Sequence, residues 1–156
     1  MDFTGDLTAI CLDKIDKFSY KGYSFNALVT DVYDGDTCHI VFYESKIPRK
    51  YAARISGYDS PEIKPLKSIA DRELHVDAAK SCKKFLYDLI CGKIVRVDVV
   101  GDDKYGRLLI EIYHGQYNIS SLMKSIGCLS YEGDTKKEYT VEGLGKIITN
   151  IKSLSI

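Results

Sequence analysis

The chain has 156 residues, about the size of one ordinary domain and too short for two domains with separate cores. Its 22 Lys plus Arg balance its 22 Asp plus Glu, so the formal net charge is zero and any polyanion has to be recognised by a local basic patch. The five cysteines are scattered, without the close pairs that zinc sites use, and we expect them to be reduced, buried thiols.

Residues 1–24 combine a short apolar stretch with a polar segment, and we interpret them as an N-terminal extension. They contain acidic residues early and no long apolar run, so they indicate neither a secretory signal nor a membrane span. We therefore expect an intracellular, cytoplasmic protein.

Three segments between turn signals follow the extension, and each is rich in β-branched and aromatic residues. They predict strands over residues 27–32, 37–43 and 50–56. Asp34-Gly35 is typical of a tight hairpin turn, which makes the first two strands antiparallel neighbours.

After the loop at residues 58–67, the spacing between apolar residues changes from two positions to three or four positions. This spacing is seen at Leu74, Ala78, Cys82, Phe85 or Leu86, and Leu89. It predicts an amphipathic helix over residues 68–91. Ser68 with Asp71 indicates a cap at its start, and Gly92 follows its end.

Two more strands are predicted over residues 94–100 and 107–113, joined by the segment GDDKYG. A second helix is predicted over residues 119–126, and the weakly periodic tail predicts a last one. Five strands with a helix between the third and the fourth indicate an α+β fold: a five-stranded OB-type β-barrel with a long helix between strands 3 and 4 and one or two C-terminal helices. We expect an extension (1–24), a barrel domain (25–132) and a tail packed on that domain (133–156).

Carboxylates occur at two separated turns. Asp36 begins a row of apolar residues at alternate positions, which places it at the mouth of the barrel. Asp59 and Glu62 flank Pro61, which stiffens their loop. Taken alone, each stretch is more typical of a solvated turn. Together, Asp36, Asp59 and the Ser60 carbonyl would offer three oxygen ligands to a hard divalent ion such as Ca²⁺.

Two arginines accompany these acids. Arg54 lies five residues before Asp59 in an otherwise apolar strand, and Arg107 opens the last predicted strand. A guanidinium is always charged and presents two donors to phosphate oxygens. Singly, each arginine is more typical of the surface or of an ion pair. Their joint placement with the carboxylates predicts a site for phosphoryl transfer.

The order DGDT, then Arg54 and YDSPE, then DKYGR, with a barrel pattern around a central helix, resembles the staphylococcal-type nucleases, the thermonuclease family. The resemblance runs from about residue 27 to residue 131 and includes three motifs in the same order. It implies that Asp36 and Asp59 bind Ca²⁺ through their side chains and Ser60 through its main-chain carbonyl.

The resemblance also implies a role for each matching side chain. Glu62 would orient or deprotonate the attacking water. Arg54 and Arg107 would hold the scissile phosphate and stabilise charge as the bond to the 5′ oxygen breaks. The implied substrate-binding residues are Lys104, Tyr105 and Tyr131.

The predicted function is Ca²⁺-dependent hydrolysis of DNA, preferably single-stranded, and of RNA to 5′-hydroxyl and 3′-phosphate ends. The expected partners are DNA and RNA, without a membrane or an obligate protein partner. One alternative is a catalytically silent nuclease-like OB module that binds nucleic acid or a protein. Another is a purely structural Ca²⁺-stabilised domain, for which the arginines are unnecessary. The enzyme interpretation is favoured because the chain keeps Asp36, Arg54, Asp59, Glu62 and Arg107 together.

Overall fold

Five long strands close into a barrel in the computed structural model, which describes residues 2–154. They are β1 (Ser24–Asp34), β2 (Thr37–Glu44), β3 (Ile47–Ile55), β5 (Ile94–Asp102) and β6 (Leu108–His114). Antiparallel pairing gives the order β3-β2-β1-β5-β6, and a parallel pairing of β3 with β6 closes the barrel. The predicted α+β fold with an OB-type barrel is therefore confirmed.

Three α-helices accompany the barrel in the described part of the chain: α1 (Arg72–Ile90), α2 (Ile119–Ser125) and α3 (Val141–Leu154). Helix α1 lies between the third and fourth barrel strands, as predicted, and its buried residues are Ala78, Ala79, Cys82, Leu86 and Ile90. Helix α3 packs against α1 and buries Leu144, Ile147 and Ile151. Neither these helices nor any other within residues 2–154 has the length and apolar character to cross a membrane.

The start of α1 differs from the prediction. The helix begins at Arg72, and the residue that precedes it is Asp71, with a left-handed backbone (φ 55°) and no capping hydrogen bond from its side chain. A left-handed residue cannot continue a right-handed helix, so α1 cannot extend back to Ser68. The predicted cap by Ser68 and Asp71 is wrong.

Three short strands in the described residues were not predicted from the sequence: β4 (Gly57–Asp59), β7 (Tyr117–Asn118) and β8 (Leu129–Tyr131). Segments of two or three residues are too short to show a period of two. Strand β4 pairs with β8 and so ties the YDSPE loop to the chain before α3. Gly57 allows the bend into β4, because its φ is +96° and a Cβ there would lie 2.5 Å from the Ser120 hydroxyl oxygen.

The N-terminal segment contributes to the barrel core through Tyr20. This side chain is 7% exposed and packs edge-to-face on Phe42 and Tyr51, with ring centroids 5.5 and 5.6 Å away. Its hydroxyl donates to Glu44 Oε2 at 2.8 Å. The predicted extension therefore includes a residue that packs into the barrel core. The division of the chain at residues 24 and 132 stays a prediction.

The cysteines only partly follow the prediction. Cys38, Cys82 and Cys128 are buried, whereas Cys11 is exposed and Cys91 is half-buried. Cys11 lies in the segment before the barrel, whose residues 2–18 are exposed, and this explains why its thiol remains at the surface.

Candidate active site

Gly35 and Asp36 form the turn between β1 and β2, which confirms the predicted hairpin. A Cβ on Gly35 would lie 2.6 Å from the Ser60 Cβ, so glycine allows the turn to pack directly on the YDSPE loop. The buried Tyr58 hydroxyl donates to the Gly35 carbonyl at 2.6 Å and adds a second link. Two distant parts of the sequence are thereby held together.

A polar pocket of about 150 Å³ opens where this turn, the loop after β4 and the start of β6 meet. Its lining residues are Asp34, Asp36, Arg54, Asp59, Ser60, Pro61, Glu62, Arg107 and Lys136. Six of the nine residues singled out from the sequence therefore converge on one pocket. The other three, Lys104, Tyr105 and Tyr131, lie outside this lining.

Arg54 lies between the two predicted metal-binding carboxylates. Its Nη1 is 3.3 Å from Asp36 Oδ2 and its Nη2 donates to Asp59 Oδ1 at 3.1 Å. Nη1 also donates to the carbonyls of Ile55 and Tyr58, both at 2.9 Å. Arg54, Asp36 and Asp59 are only 7–8% exposed, so the guanidinium and both carboxylates are fixed inside the protein.

Asp36 is also held by hydrogen bonds from two neighbours. The Ser60 amide and hydroxyl donate to Asp36 Oδ2 at 3.0 and 3.1 Å, and the Thr37 hydroxyl donates to Oδ1 at 3.1 Å. Arg107 Nη1 in turn donates to the Thr37 hydroxyl oxygen at 3.3 Å. Thr37 thus connects the second arginine to the first carboxylate, a role that only its place in DGDT could have indicated.

Asp103 positions Arg107 at the start of β6. Its Oδ2 accepts from Arg107 Nε at 2.5 Å, and its Oδ1 accepts from the backbone amides of Tyr105 and Arg107 at 2.8 and 2.9 Å. Burial opposes the Asp103 charge, but these hydrogen bonds outweigh it and lower the pKa of the carboxyl. Asp103 was not predicted from the sequence, although its spacing of four residues from Arg107 in DDKYGR was a usable signal.

Glu62 and Lys136 occupy the exposed edge of the pocket. The Glu62 side chain is 63% exposed, and Lys136 Nζ lies 3.1 Å from Glu62 Oε1 and 3.6 Å from Asp59 Oδ1. Burial disfavours the ammonium, but the hydrogen bond to Glu62 and the attraction of Asp59 outweigh it and raise the Lys136 pKa. Lys136 was not predicted, because its run DTKKE is typical of a solvated loop.

The segment between β8 and α3 supports the site through Tyr139 as well. The Tyr139 hydroxyl donates to the Asp59 carbonyl and accepts from the Leu129 amide at 2.9 Å. This side chain therefore fixes the backbone at one of the predicted metal ligands. It too was missed, since 80 residues separate Tyr139 from Asp59 in the sequence.

The three predicted substrate-binding residues lie beside the arginines. The Tyr131 ring centroid is 5.7 Å from Arg54 Cζ, and the Tyr105 ring centroid is 5.5 Å from Arg107 Cζ. Lys104 Nζ lies 5.3 Å from the same Tyr105 ring. Lys104 and Tyr105 are exposed, Tyr105 by 71%, whereas Tyr131 is half-buried. We refer to these three side chains as the outer surface of the pocket.

The crowding of carboxylates changes their proton affinities. Burial, together with the charge of Asp36, raises the pKa of Asp34 to about 7. Burial also raises the pKa of Asp59, although the charges of Lys136 and Arg54 oppose this rise. The part of these rises that neighbouring carboxylates cause reflects negative charges close to one another, which a bound cation would offset.

The donor set of the pocket fits a divalent cation that prefers oxygen. Asp36 and Asp59 offer carboxylates, Ser60 offers a carbonyl, and the Lys136 ammonium already stands at ion-pair distance from Asp59. Within residues 2–154, no three His, Cys, Asp or Glu side chains form a complete ligand group. An ion bound here would therefore complete its coordination with water or phosphate oxygens.

Comparisons with known proteins identify the family. A family model described as "Staphylococcal nuclease homologue" matches residues 52–144, more than half of the chain; Asp36 precedes the matched region. The chain is also 32% identical over 82 residues to an uncharacterized 38.1 kDa protein of Capnoides sempervirens, an alignment that covers 52% of this chain and 21% of that protein. The chain thus spans about a fifth of this relative's length. With a closed OB-type barrel and a family match over more than half of its residues, the chain belongs to the staphylococcal nuclease homologues.

Proposed function

We propose that this protein is a Ca²⁺-dependent nuclease that hydrolyses phosphodiester bonds in DNA, preferably single-stranded, and in RNA. The observation that supports this most is the convergence of two carboxylates, two guanidinium groups and one exposed glutamate on a single pocket. A phosphodiester carries a negative charge that repels an attacking water, so hydrolysis requires cationic groups and a base side by side.

Asp36 and Asp59 would hold Ca²⁺ through their carboxylates and Ser60 through its carbonyl. An ion held by these groups would supply positive charge to offset that of the phosphate and would make a bound water more acidic. The Ser60 amide and hydroxyl fix the Asp36 carboxylate, and the Tyr139 hydroxyl fixes the Asp59 backbone. The ligands are thus positioned before the substrate arrives, which reduces the entropic cost of the reaction.

Glu62 is the general base of the proposed reaction. It follows Pro61, which limits the freedom of the loop, and its side chain faces water at the edge of the pocket. Its carboxylate takes a proton from the attacking water, whose oxygen bonds to phosphorus. The bond from phosphorus to the 5′ oxygen breaks, and that oxygen takes a proton from solvent, which leaves a 5′-hydroxyl and a 3′-phosphate.

Arg54 and Arg107 stabilise the charge that develops on the phosphate oxygens. Each guanidinium is held by the protein, Arg54 by the Ile55 and Tyr58 carbonyls and Arg107 by Asp103. Donors that are already oriented need little reorganisation during the reaction, which makes them effective at stabilising a transition state.

The outer surface of Lys104, Tyr105 and Tyr131 would bind the nucleotides next to the scissile bond. An ammonium pairs with a neighbouring phosphate, and the exposed Tyr105 ring and the half-buried Tyr131 ring offer faces on which unpaired bases stack. Bases in a duplex are already stacked on each other, so this surface favours single strands.

Degradation of end-labelled single-stranded DNA and RNA tests the proposal. We expect cleavage in Ca²⁺, none with excess EGTA, and a loss of about 100-fold or more in kcat for Glu62→Gln, because a general base contributes about that much. Glu138→Gln, an exposed glutamate outside the pocket lining, is the matched control and retains wild-type cleavage.

Two outcomes contradict the proposal. Wild-type activity of Glu62→Gln removes Glu62 from the mechanism. Binding of labelled DNA in Ca²⁺ without any cleavage product supports instead the catalytically silent OB module that binds nucleic acid.

A further inference from the structure

Lys136 differs from the two arginines that share the pocket with it. Its side chain is 55% exposed, compared with 10% for Arg54 and 30% for Arg107. Arg54 is held by the Ile55 and Tyr58 carbonyls and Arg107 by Asp103, whereas Lys136 extends from the segment between β8 and α3. Lys136 is therefore the pocket cation whose position is easiest to change.

The acidic side chains that line the pocket outnumber its cationic ones. Four acidic side chains line it, and Arg107 already shares its charge with Asp103 outside the lining. Arg54 contacts both Asp36 and Asp59. Lys136 adds a third positive charge, 3.6 Å from Asp59 Oδ1 and 3.1 Å from Glu62 Oε1.

We propose that the Lys136 ammonium is a displaceable counter-ion that competes with the divalent cation for Asp59 and at the same time restrains Glu62. This inference rests on the proposed function of the same site. An ammonium and a divalent cation repel each other strongly at a shared carboxylate, so the ion binds Asp59 fully only when Lys136 moves away.

The displacement has a consequence for the base. While Lys136 is paired with Glu62, the Glu62 carboxylate accepts a hydrogen bond from the ammonium in place of one from the attacking water. Departure of Lys136 releases Glu62 at the moment the metal site fills. Lys136 is thus a positioning residue that links cation binding to the availability of the base and raises the Ca²⁺ concentration that the site requires.

Calorimetric titration with Ca²⁺ alone, at low salt and without nucleic acid, tests this inference. Lys136→Met keeps the length of the side chain and removes its charge, and we expect it to bind Ca²⁺ roughly threefold to tenfold more tightly than the wild type. Lys137→Met makes the same change of net charge at the adjacent exposed residue and should leave the affinity unchanged. Lys136→Arg retains the charge and should stay close to the wild type.

Thermal unfolding provides a second readout of the same effect. Because a ligand that binds only the folded state stabilises it by RT ln(1 + [L]/Kd), a fixed Ca²⁺ concentration should raise the unfolding temperature more in Lys136→Met than in the wild type or Lys137→Met. Equal or weaker Ca²⁺ affinity of Lys136→Met overturns the inference, and so does an equal gain in both lysine variants, which would reflect net charge alone.

Cleavage assays on the same variants separate this inference from the proposed function. Tighter Ca²⁺ binding by Lys136→Met without any DNA cleavage refutes the nuclease proposal and leaves the counter-ion role in place. Cleavage of DNA with identical Ca²⁺ affinities in all variants refutes the counter-ion role and leaves the nuclease proposal in place.

Discussion

The two sides of the pocket are built in different ways. On the inner side, Asp36, Arg54 and Asp59 are 7–8% exposed and joined by direct ion pairs. On the outer side, the Glu62 side chain is 63% exposed and that of Lys136 is 55% exposed, with one ion pair between them. The inner side therefore consists of groups fixed by folding, and the outer side of groups that exchange contacts with water.

This difference separates two kinds of contribution. A buried charge that loses its partner destabilises the whole protein, whereas an exposed ion pair contributes little to stability because water and salt screen it. We therefore expect substitutions on the inner side to change stability and activity together. Substitutions on the outer side should change activity or affinity alone.

Replacement of Arg54 tests the inner side with the largest expected effect. Arg54→Gln leaves Asp36 and Asp59 buried without their counter-charge and frees the carbonyls of Ile55 and Tyr58, which should cost about 3–5 kcal/mol in the free energy of unfolding. Cleavage should fall by about 1000-fold or more, because an oriented cation is lost. Urea unfolding in EGTA and single-turnover cleavage measure the two effects.

The matched control is Arg49→Gln, which breaks a half-exposed ion pair with Glu44 on the barrel. We expect it to change the unfolding free energy by less than about 1 kcal/mol and to leave cleavage unchanged. Suppose instead that Arg54→Gln lost activity but kept the unfolding free energy of the wild type. The inner side would then contribute no more to stability than the outer side.

The sequence predicted those parts of the fold that carry local signals. The Asp34-Gly35 turn followed by alternating apolar residues identified the β1–β2 hairpin, and the change of period identified α1. The motifs DGDT, YDSPE and DKYGR, together with Arg54 in the third predicted strand, identified six residues that line the pocket. Both kinds of signal depend on residues close together in the chain.

Contacts between distant segments could not be predicted in this way. Lys136 lies 74 residues from Glu62 and Tyr139 lies 80 residues from Asp59, and no local pattern marks either contact. The β4–β8 pairing that brings them together involves three residues on each strand. Such partners become visible only when the folded chain fixes which segments are neighbours.

Asp103→Asn tests a residue that belongs to neither side of the pocket. Asp103 holds Arg107 from outside the pocket lining. The amide oxygen still accepts from the Tyr105 and Arg107 backbone, but the charge that orients Arg107 Nε is lost. We expect kcat to fall about tenfold, as for a lost charged hydrogen bond of about 1.4 kcal/mol, with KM nearly unchanged. Asp102→Asn, at the neighbouring position, should retain wild-type kcat.

The pH dependence of stability provides a second measurement for Asp103. Its folded-state pKa lies below the ordinary value of 3.8, so its contribution to stability is complete above about pH 4 and is lost as the pH falls through the folded-state value. Asp103→Asn should therefore lose less stability than the wild type between about pH 4 and pH 2. Parallel curves for the two proteins would mean that the Arg107 contact does not hold the carboxylate in its charged form.

Tyr105→Ala has the smallest expected effect and tests the outer side alone. The ring is 71% exposed and lies over Arg107 and Lys104, so its removal exposes no core. We expect KM for single-stranded DNA to rise about threefold to tenfold, at the low end of the range for base stacking, with kcat and the unfolding free energy unchanged. Tyr117→Ala, on the short strand β7, is the matched control for loss of an exposed ring. A decrease of more than about 1 kcal/mol in the stability of Tyr105→Ala would place this ring with the structural groups of the inner side, because exposed aromatic contacts to cations contribute less than that.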